Sequence, residues 1–324
     1  MAKRMLVTGA AGFIGSQLVD LLLADGHAVV GTDNLSLGRL SFLNGACENE
    51  RFNFLKGDMD HPEAFPLGLI EAGPFDIVWH MAANSDIAAG ARDDEIDFLH
   101  TFMTTRAALR LCRQTASRNF VFASTSAVYG ESSEILHEDS GSLLPISNYG
   151  AMKLASEAAI SAAAESYLEK AWLLRFPNIV GRRATHGVIR DLFAKLAQDR
   201  NVLPVLGDGS QQKPYMHVSE LLDAMRFIVA SDNSDVGRRI FNIGPEDEGV
   251  AVRDIVAAIV EAVGGGVEVQ YQGGDRGWIG DVPRFRYSTA QLAGLGWRPT
   301  LSSREAMLRA VGENAQDWRL SCSK

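Results

Sequence analysis

The segment Gly9-Ala-Ala-Gly12-Phe-Ile-Gly15 constrains this chain more than any other. It follows a short apolar run, Arg4–Thr8, and opens an amphipathic one, Ile14–Ala24. A strand, a glycine turn and a helix in that order hold a phosphate. Gly9 permits the tight turn, Gly12 lets a pyrophosphate approach the backbone, and Gly15 lets helix and strand pack closely. The helix start adds free N–H groups and partial positive charge. The next apolar run, Ala28–Asp33, ends in a carboxylate placed to accept hydrogen bonds from an adenosine ribose. That carboxylate repels a 2′-phosphate, so the pattern points to NAD rather than NADP. Phe13, Ile14, Asn34 and Met59 are assigned to the same cofactor surface. Asp58 is read either as an adenine contact or as a helix cap before His61-Pro62.

The pattern extends well past this turn. Phe52–Lys56, Asp76–His80, Asn119–Ala123 and Trp172–Phe176 are rich in Val, Ile, Phe and Leu and fit strands. Ile96–Gln114 and Tyr149–Tyr167 read as helices between them. Such alternation predicts an α/β fold: a Rossmann-type, doubly wound parallel sheet with its ligand crevice at the carboxyl ends of the strands. After Asn178 the texture is more broken, which predicts a smaller mixed C-terminal substrate lobe over 179–324, intertwined with a dinucleotide-binding domain over 1–178. A later strand near 240–243 is expected to join the first domain.

A net charge of −9 argues against nucleic acid, since phosphate backbones need a surplus of Lys and Arg. Cys47, Cys112 and Cys322 are scattered without a C-x-x-C, so no disulfide framework or zinc site is implied. No metal is expected. The chain carries no apolar run of membrane-spanning length and no signal-peptide core, and the expectation is a cytoplasmic protein.

Chemistry enters with Tyr149-Gly-Ala-Met-Lys153, whose i,i+4 spacing places phenol and amine on one helix face. A free tyrosine, at about 10, is a poor base at neutral pH. A nearby ammonium, with a cationic nicotinamide, is expected to lower it enough to accept a hydroxyl proton. Ser124-Thr125-Ser126 ends the preceding strand at the crevice, where hydroxyls can steady a reacting oxygen or bond the local backbone. Ala82 and Ala83, after His80-Met81, leave space for a cofactor, and His80 reads as a packed histidine.

Taken in order, the glycine turn, Asp33-Asn34-Leu35, His80-Met-Ala-Ala83, Ser124-Thr-Ser-Ala-Val-Tyr-Gly130, Tyr149-x-x-x-Lys153 and Arg175-Phe-Pro-Asn178-Ile-Val-Gly181 resemble the extended short-chain dehydrogenase/reductases, the NAD-dependent epimerase/dehydratase family. The similarity runs on through Gly207-Asp-Gly-Ser-Gln-Gln-Lys-Pro-Tyr-Met-His217 and Gly280-Asp281-Val to Gly296-Trp-Arg-Pro299, and its nearest pattern is that of UDP-sugar 4-epimerases. The resemblance implies Tyr149 as acid/base, Lys153 as its partner and Thr125 as the catalytic hydroxyl. It implies Phe176 beside the nicotinamide, and Ser85, Ser124, Thr125, Ser126, Asn178, Lys213, Tyr215, Arg276 and Asp281 around a nucleotide-diphosphate sugar. It also implies a homodimer pairing through Asp94–Arg113 and Tyr149–Tyr167.

The departures sort the reactions. Dehydratases of this family carry Asp and Glu after the catalytic hydroxyl residue, and this chain has Ser126 and Ala127. Alanine transfers no proton, which disfavours elimination and decarboxylation and leaves redox at C4. Lys213 replaces a usual Arg, giving a point charge without a bidentate fork. Trp278 replaces another, with Arg276 near enough in sequence to compensate. Thr101 stands near a family-typical Asn. The reading is an NAD-dependent 4-epimerase of a nucleotide sugar. The alternatives are a sugar ketoreductase, an epimerase at another carbon, a reductase of steroid-like or phenolic substrates and a non-catalytic NAD-sensing protein.

Overall fold

Side chains in the central strands alternate between two apolar layers, as a strand buried on both faces requires. The computed structural model describes residues 1–61, 65–132, 134–235, 237–274 and 285–322. Its main sheet has seven strands: β1 (Arg4–Thr8), β2 (Ala28–Asp33), β3 (Phe52–Lys56), β4 (Ile77–His80), β5 (Asn119–Thr125), β6 (Lys170–Phe176) and β7 (Arg238–Asn242). Met5, Val7, Val29, Ile77, Trp79, Val121, Trp172 and Leu174 face one layer, and Leu6, Val30, Val78, Phe120, Phe122 and Leu173 face the other. The first layer is closed by helices α1 (Phe13–Ala24) and α7 (Val218–Ser231) through Leu18, Val19, Leu221 and Met225. The second is closed by α4 (Thr104–Thr115) and α5 (Asn148–Ala164) through Ala107, Leu111 and Ile160.

All neighbouring strands of this sheet pair in parallel, in the order β3-β2-β1-β4-β5-β6-β7. The direction of winding reverses between β1 and β4, and a crevice opens there at the carboxyl ends. The chain returns from the C-terminal half to supply β7 beside β6. A third apolar cluster holds the remainder together, with Leu192 and Phe193 of α6 (Val188–Gln198), Ile255 of α8 (Val252–Ala262) and Met307 of α9 (Ser303–Cys322).

The segment read as one helix over Ile96–Gln114 is composite. A short α3 (Asp94–Asp97) passes into a π-helical stretch, Phe98–Met103, before α4 begins. Threonine hydroxyls bond along this junction. Thr104 Oγ1 donates to the carbonyls of His100 at 3.1 Å and Thr101 at 2.9 Å, and Thr105 Oγ1 donates to that of Thr101 at 2.9 Å. Hydroxyls bonding back one turn compete with the regular ladder. Among the described residues no helix is long and apolar enough to cross a membrane.

Candidate active site

A cleft of about 370 Å³ opens over the carboxyl ends of β1, β2 and β4. Gly9, at φ +67°, adopts a conformation that glycine tolerates best. A Cβ there would lie 2.8 Å from the Ala82 nitrogen, and one on Gly15 would lie 2.0 Å from the Gly9 carbonyl oxygen. The turn, the end of β4 and the first turn of α1 therefore meet at backbone contact. No side chain caps α1 at Gly12, and Gly12, Phe13, Ile14 and Gly15 line the cleft. Open N–H groups at a helix start beside a cavity fit a pyrophosphate. Gly15→Ala should cost about 1–3 kcal/mol of stability through overpacking and should also weaken dinucleotide binding. Thermal melts and a cofactor titration check both.

Asp33 stands at the end of β2 with Oδ2 accepting from Ala11 N at 2.9 Å and Oδ1 from Leu35 N at 2.7 Å. Burial raises its pKa, and these two backbone bonds act against the rise. The carboxylate is thus fixed in the cleft wall. Asn34 Nδ2 donates to Asp58 Oδ2 at 3.1 Å, tying the ends of β2 and β3 together, and Asp58 and Met59 line the same wall. His80 is a structural residue. It is fully buried between Thr8 Oγ1 at 2.7 Å and Thr105 Oγ1 at 3.1 Å, and burial pulls its pKa down to about 3. The neutral ring orders β1 against β4.

Tyr149, Lys153 and Phe176 line the cleft beyond Ala82 and Ala83. Ser147 caps α5 by accepting from Gly150 N at 3.1 Å, which starts the helix one residue before Tyr149. Lys153 Nζ donates to the Ala123 carbonyl at 2.6 Å and lies 4.7 Å from the Phe122 ring centre and 5.8 Å from that of Tyr149. The Thr125 hydroxyl lies near enough to the Tyr149 phenol to favour its ionised form, and it accepts from Ala127 N at 3.1 Å.

The amine by itself does not acidify the phenol; the expected lowering is for the ammonium together with a bound cationic nicotinamide. Burial pushes Tyr149 up to about 12, with the Thr125 hydroxyl drawing it down and the Asp97 charge raising it further. Burial pulls Lys153 down to about 7, and Asp97 and Glu157 oppose that. Both groups lose water in the same wall, and for each the charged form suffers. In the protein alone the phenol therefore keeps its proton at neutral pH.

Other expected residues are placed elsewhere. Ser124 is buried and donates to Glu157 Oε1 at 2.5 Å, behind the reacting face. Tyr215, expected at the substrate, packs in the core of the smaller lobe because its strand, Tyr215–His217, pairs with Asn178–Val180 and is buried throughout. Asn178 Nδ2 faces the Pro214 carbonyl at 3.4 Å, and Lys213 lies in the short strand Gln212–Lys213. Neither they nor Ser126 line the cleft. Ser85 does line it and meets His186 Nδ1 at 3.3 Å. Arg276, Trp278 and Asp281 lie outside the described residues.

Reading the sequence missed Gly38, Asn84, His100 and Thr185, all in the cleft wall. Gly38 had a signal, since a glycine five residues after Asp33 allows a loop to fold back. A Cβ there would lie 2.9 Å from Asp33 Oδ1. The others carried no periodic or compositional mark.

Residues 5–244 match the model of the NAD dependent epimerase/dehydratase family. The chain is 32% identical over 313 residues to a UDP-glucose 4-epimerase of Mycolicibacterium smegmatis, spanning 95% of this chain and 97% of that protein. Among solved structures it resembles a UDP-galactose 4-epimerase at 33% identity and a TM-score of 0.85, covering 97% of this chain and 99% of that one. It also resembles the Thermus thermophilus UDP-glucose 4-epimerase complexed with NAD, at 30% identity and a TM-score of 0.80, covering 98% and 99%. With a glycine turn, an acidic strand end and a Tyr-Lys pair around one cleft, the chain belongs to the NAD dependent epimerase/dehydratase family.

Proposed function

We propose that this protein is an NAD-dependent 4-epimerase of a nucleotide-diphosphate sugar, with a UDP-sugar as the favoured substrate. The observation that carries the reading is the placement of Tyr149 and Lys153 in the wall that also holds the glycine turn, Asp33 and Phe176. The relatives named above add weight, since their activities are those of UDP-sugar 4-epimerases.

Gly12–Gly15 would hold the pyrophosphate of NAD, Asp33 the adenosine ribose, Lys153 the second ribose, and Phe176 would flank the nicotinamide. The chemistry that NAD supplies when bound is reversible acceptance of a hydride at a cationic ring. Tyr149 takes the proton of the sugar C4 hydroxyl and later returns it, with Thr125 holding the phenol in place. Lys153 keeps a positive charge beside the phenol and disperses the negative charge that appears there. Elimination needs a further acid and base, and Ala127 offers neither where dehydratases of the family keep one. The 4-keto sugar therefore turns over in the cleft and is reduced from its other face. Ser85 lines the cleft and is the proposed contact to the sugar there, while Ser126, Asn178 and Lys213, which lie outside that wall, and Arg276 and Asp281 are proposed to meet the substrate beyond it.

Incubating the protein with a panel of nucleotide sugars and reading the products by NMR tests this. A C4 epimer without net NADH consumption supports it. A reduced sugar formed with stoichiometric NADH, an epimer at another carbon or no turnover at all overturns it. Asp33→Ala should weaken NAD by about tenfold or more, since a hydrogen bond to a charged group is worth about 1.5–3 kcal/mol. It should also narrow the preference over NADP, which paired fluorescence titrations measure.

The protein is further proposed to be cytoplasmic and to form a homodimer through the faces of Asp94–Arg113 and Tyr149–Tyr167. Light scattering at a mass of two chains supports the dimer, and a monomer at micromolar concentration refutes it.

A further inference from the structure

Behind the cleft wall lies a carboxylate that the chemistry above does not use. Asp97 ends α3 where the helix widens into its π-helical stretch, and it is fully buried. Its Oδ1 accepts from Asn84 Nδ2 at 2.8 Å, and Asn84 itself lines the cleft. Its Oδ2 has no hydrogen-bond partner among the described residues. Gly90, in α2 (Ile87–Arg92), packs directly on that oxygen: a Cβ there would lie 1.9 Å from Oδ2. The same Asn84 amide also donates to the Asp86 carbonyl at 3.0 Å, so the group is held from two sides. A buried carboxylate with an orphaned oxygen is costly unless a cation balances it.

The candidate cation is Lys153. It projects from α5, beside α3 and the π-helical stretch, and is itself almost fully buried. We propose that Asp97, held by Asn84 and Gly90, is a positioning residue that keeps Lys153 protonated beside Tyr149. This rests on the reading of Tyr149 and Lys153 given above.

The charged and titratable groups around the amine come from every neighbouring element. Glu157 lies one turn along α5, but its carboxylate is engaged by Arg175 and Ser124. Tyr149 lies one turn back on α5, and neutral His80 lies on β4. The charges of Asp86 and His100 also act on Asp97, the first raising and the second lowering its pKa. Burial raises the Asp97 pKa as well, and Asn84 and Lys153 draw it back. Asp97 is thus the anion near Lys153 that no arginine neutralises, among the described residues. Its charge favours the ammonium and, by the same field, disfavours the phenolate.

The test compares variants in which charge and size change oppositely. Asp97→Asn keeps the volume and an oxygen for Asn84 but removes the charge. Asp97→Glu keeps the charge but adds a methylene where Gly90 leaves no room. The readout is the titration of the Lys153 ε-carbon by NMR in the protein without nucleotide, assigned with Lys153→Met. The alkaline limb of kcat in the loaded enzyme is recorded beside it. Asp97→Asn is expected to lower the Lys153 midpoint by about one pH unit or more, since an adjacent opposite charge shifts a pKa by about 1–3 units. The alkaline limb should move down with it, and Asp97→Glu should return both toward wild type. A purely structural role predicts the reverse order, with the bulkier variant more perturbed. Asp97→Ser, smaller and uncharged, serves as a second uncharged variant should Asp97→Asn not fold, with the same expected shift. A folded, uncharged variant whose Lys153 midpoint coincides with wild type overturns the proposal. If the wild type turns over no nucleotide sugar, the functional reading falls, while the NMR titration still decides the role of Asp97.

Discussion

Tyr149→Phe lowers kcat by about 10²–10⁴ on whichever nucleotide sugar the wild type epimerises, the range that a positioned acid/base contributes. The ring stays, so the packing in the cleft wall and the contact with Lys153 at 5.8 Å are kept. NAD affinity and melting temperature should therefore match wild type. Only the proton acceptor is removed. Because burial places this phenol at about 12 in the protein alone, its ionisation must be driven by charge that arrives with the bound ligands. Wild-type kcat should accordingly rise with pH along a limb that Tyr149→Phe lacks. Near-normal turnover by a folded variant, measured with the same substrate and at saturating NAD, would remove the acid/base assignment.

Glu157→Ala should unfold the domain more readily than any substitution in the cleft. Glu157 and Arg175 form a buried, two-pronged pair, at 2.9 Å from Arg175 Nε to Oε1 and 2.6 Å from Nη2 to Oε2. The guanidinium also stacks 4.8 Å from the Tyr129 ring centre, and its Nη1 already has no hydrogen-bond partner among the described residues. Truncating the glutamate leaves a buried arginine uncompensated, which costs about 3–5 kcal/mol. For a chain of this size that is a fall of about 4–7 °C in melting temperature. Ser124 loses its acceptor as well, so the end of β5 should loosen, and calorimetry with amide exchange on residues 119–125 would register both. A melting temperature unchanged from wild type would mean that Arg175 reaches water, contrary to its 2% exposure.

Asp97 and Glu157 show why part of this site escaped the sequence. Tyr149, Lys153 and Glu157 share a helix face at i, i+4 and i+8, so their common direction can be counted off. Their partners cannot. Asp97 and Asn84 precede Lys153 by 56 and 69 residues, and only the packing of α3 and the π-helical stretch on α5 brings that group in. Tyr215 shows a second thing that motif order does not carry, which is burial. A motif placed it at the substrate, but strand pairing with Asn178–Val180 turned its ring into the core of the smaller lobe. The helix expected over Ile96–Gln114 is present but interrupted by the π-helical stretch Phe98–Met103, where the hydroxyls of Thr104 and Thr105 bond carbonyls of the preceding turn.

What the chain determined by itself was local: two-residue alternation in the strands, the glycine turn between β1 and α1, and the spacing of Tyr149 and Lys153. Each follows from backbone geometry within about twenty residues, so it can be read without knowing what lies opposite. The tertiary structure alone decided the charge states. Tyr149 rises to about 12 and Lys153 falls to about 7 because water is excluded by residues far apart in the chain, and desolvation belongs to the assembled wall rather than to any segment of it.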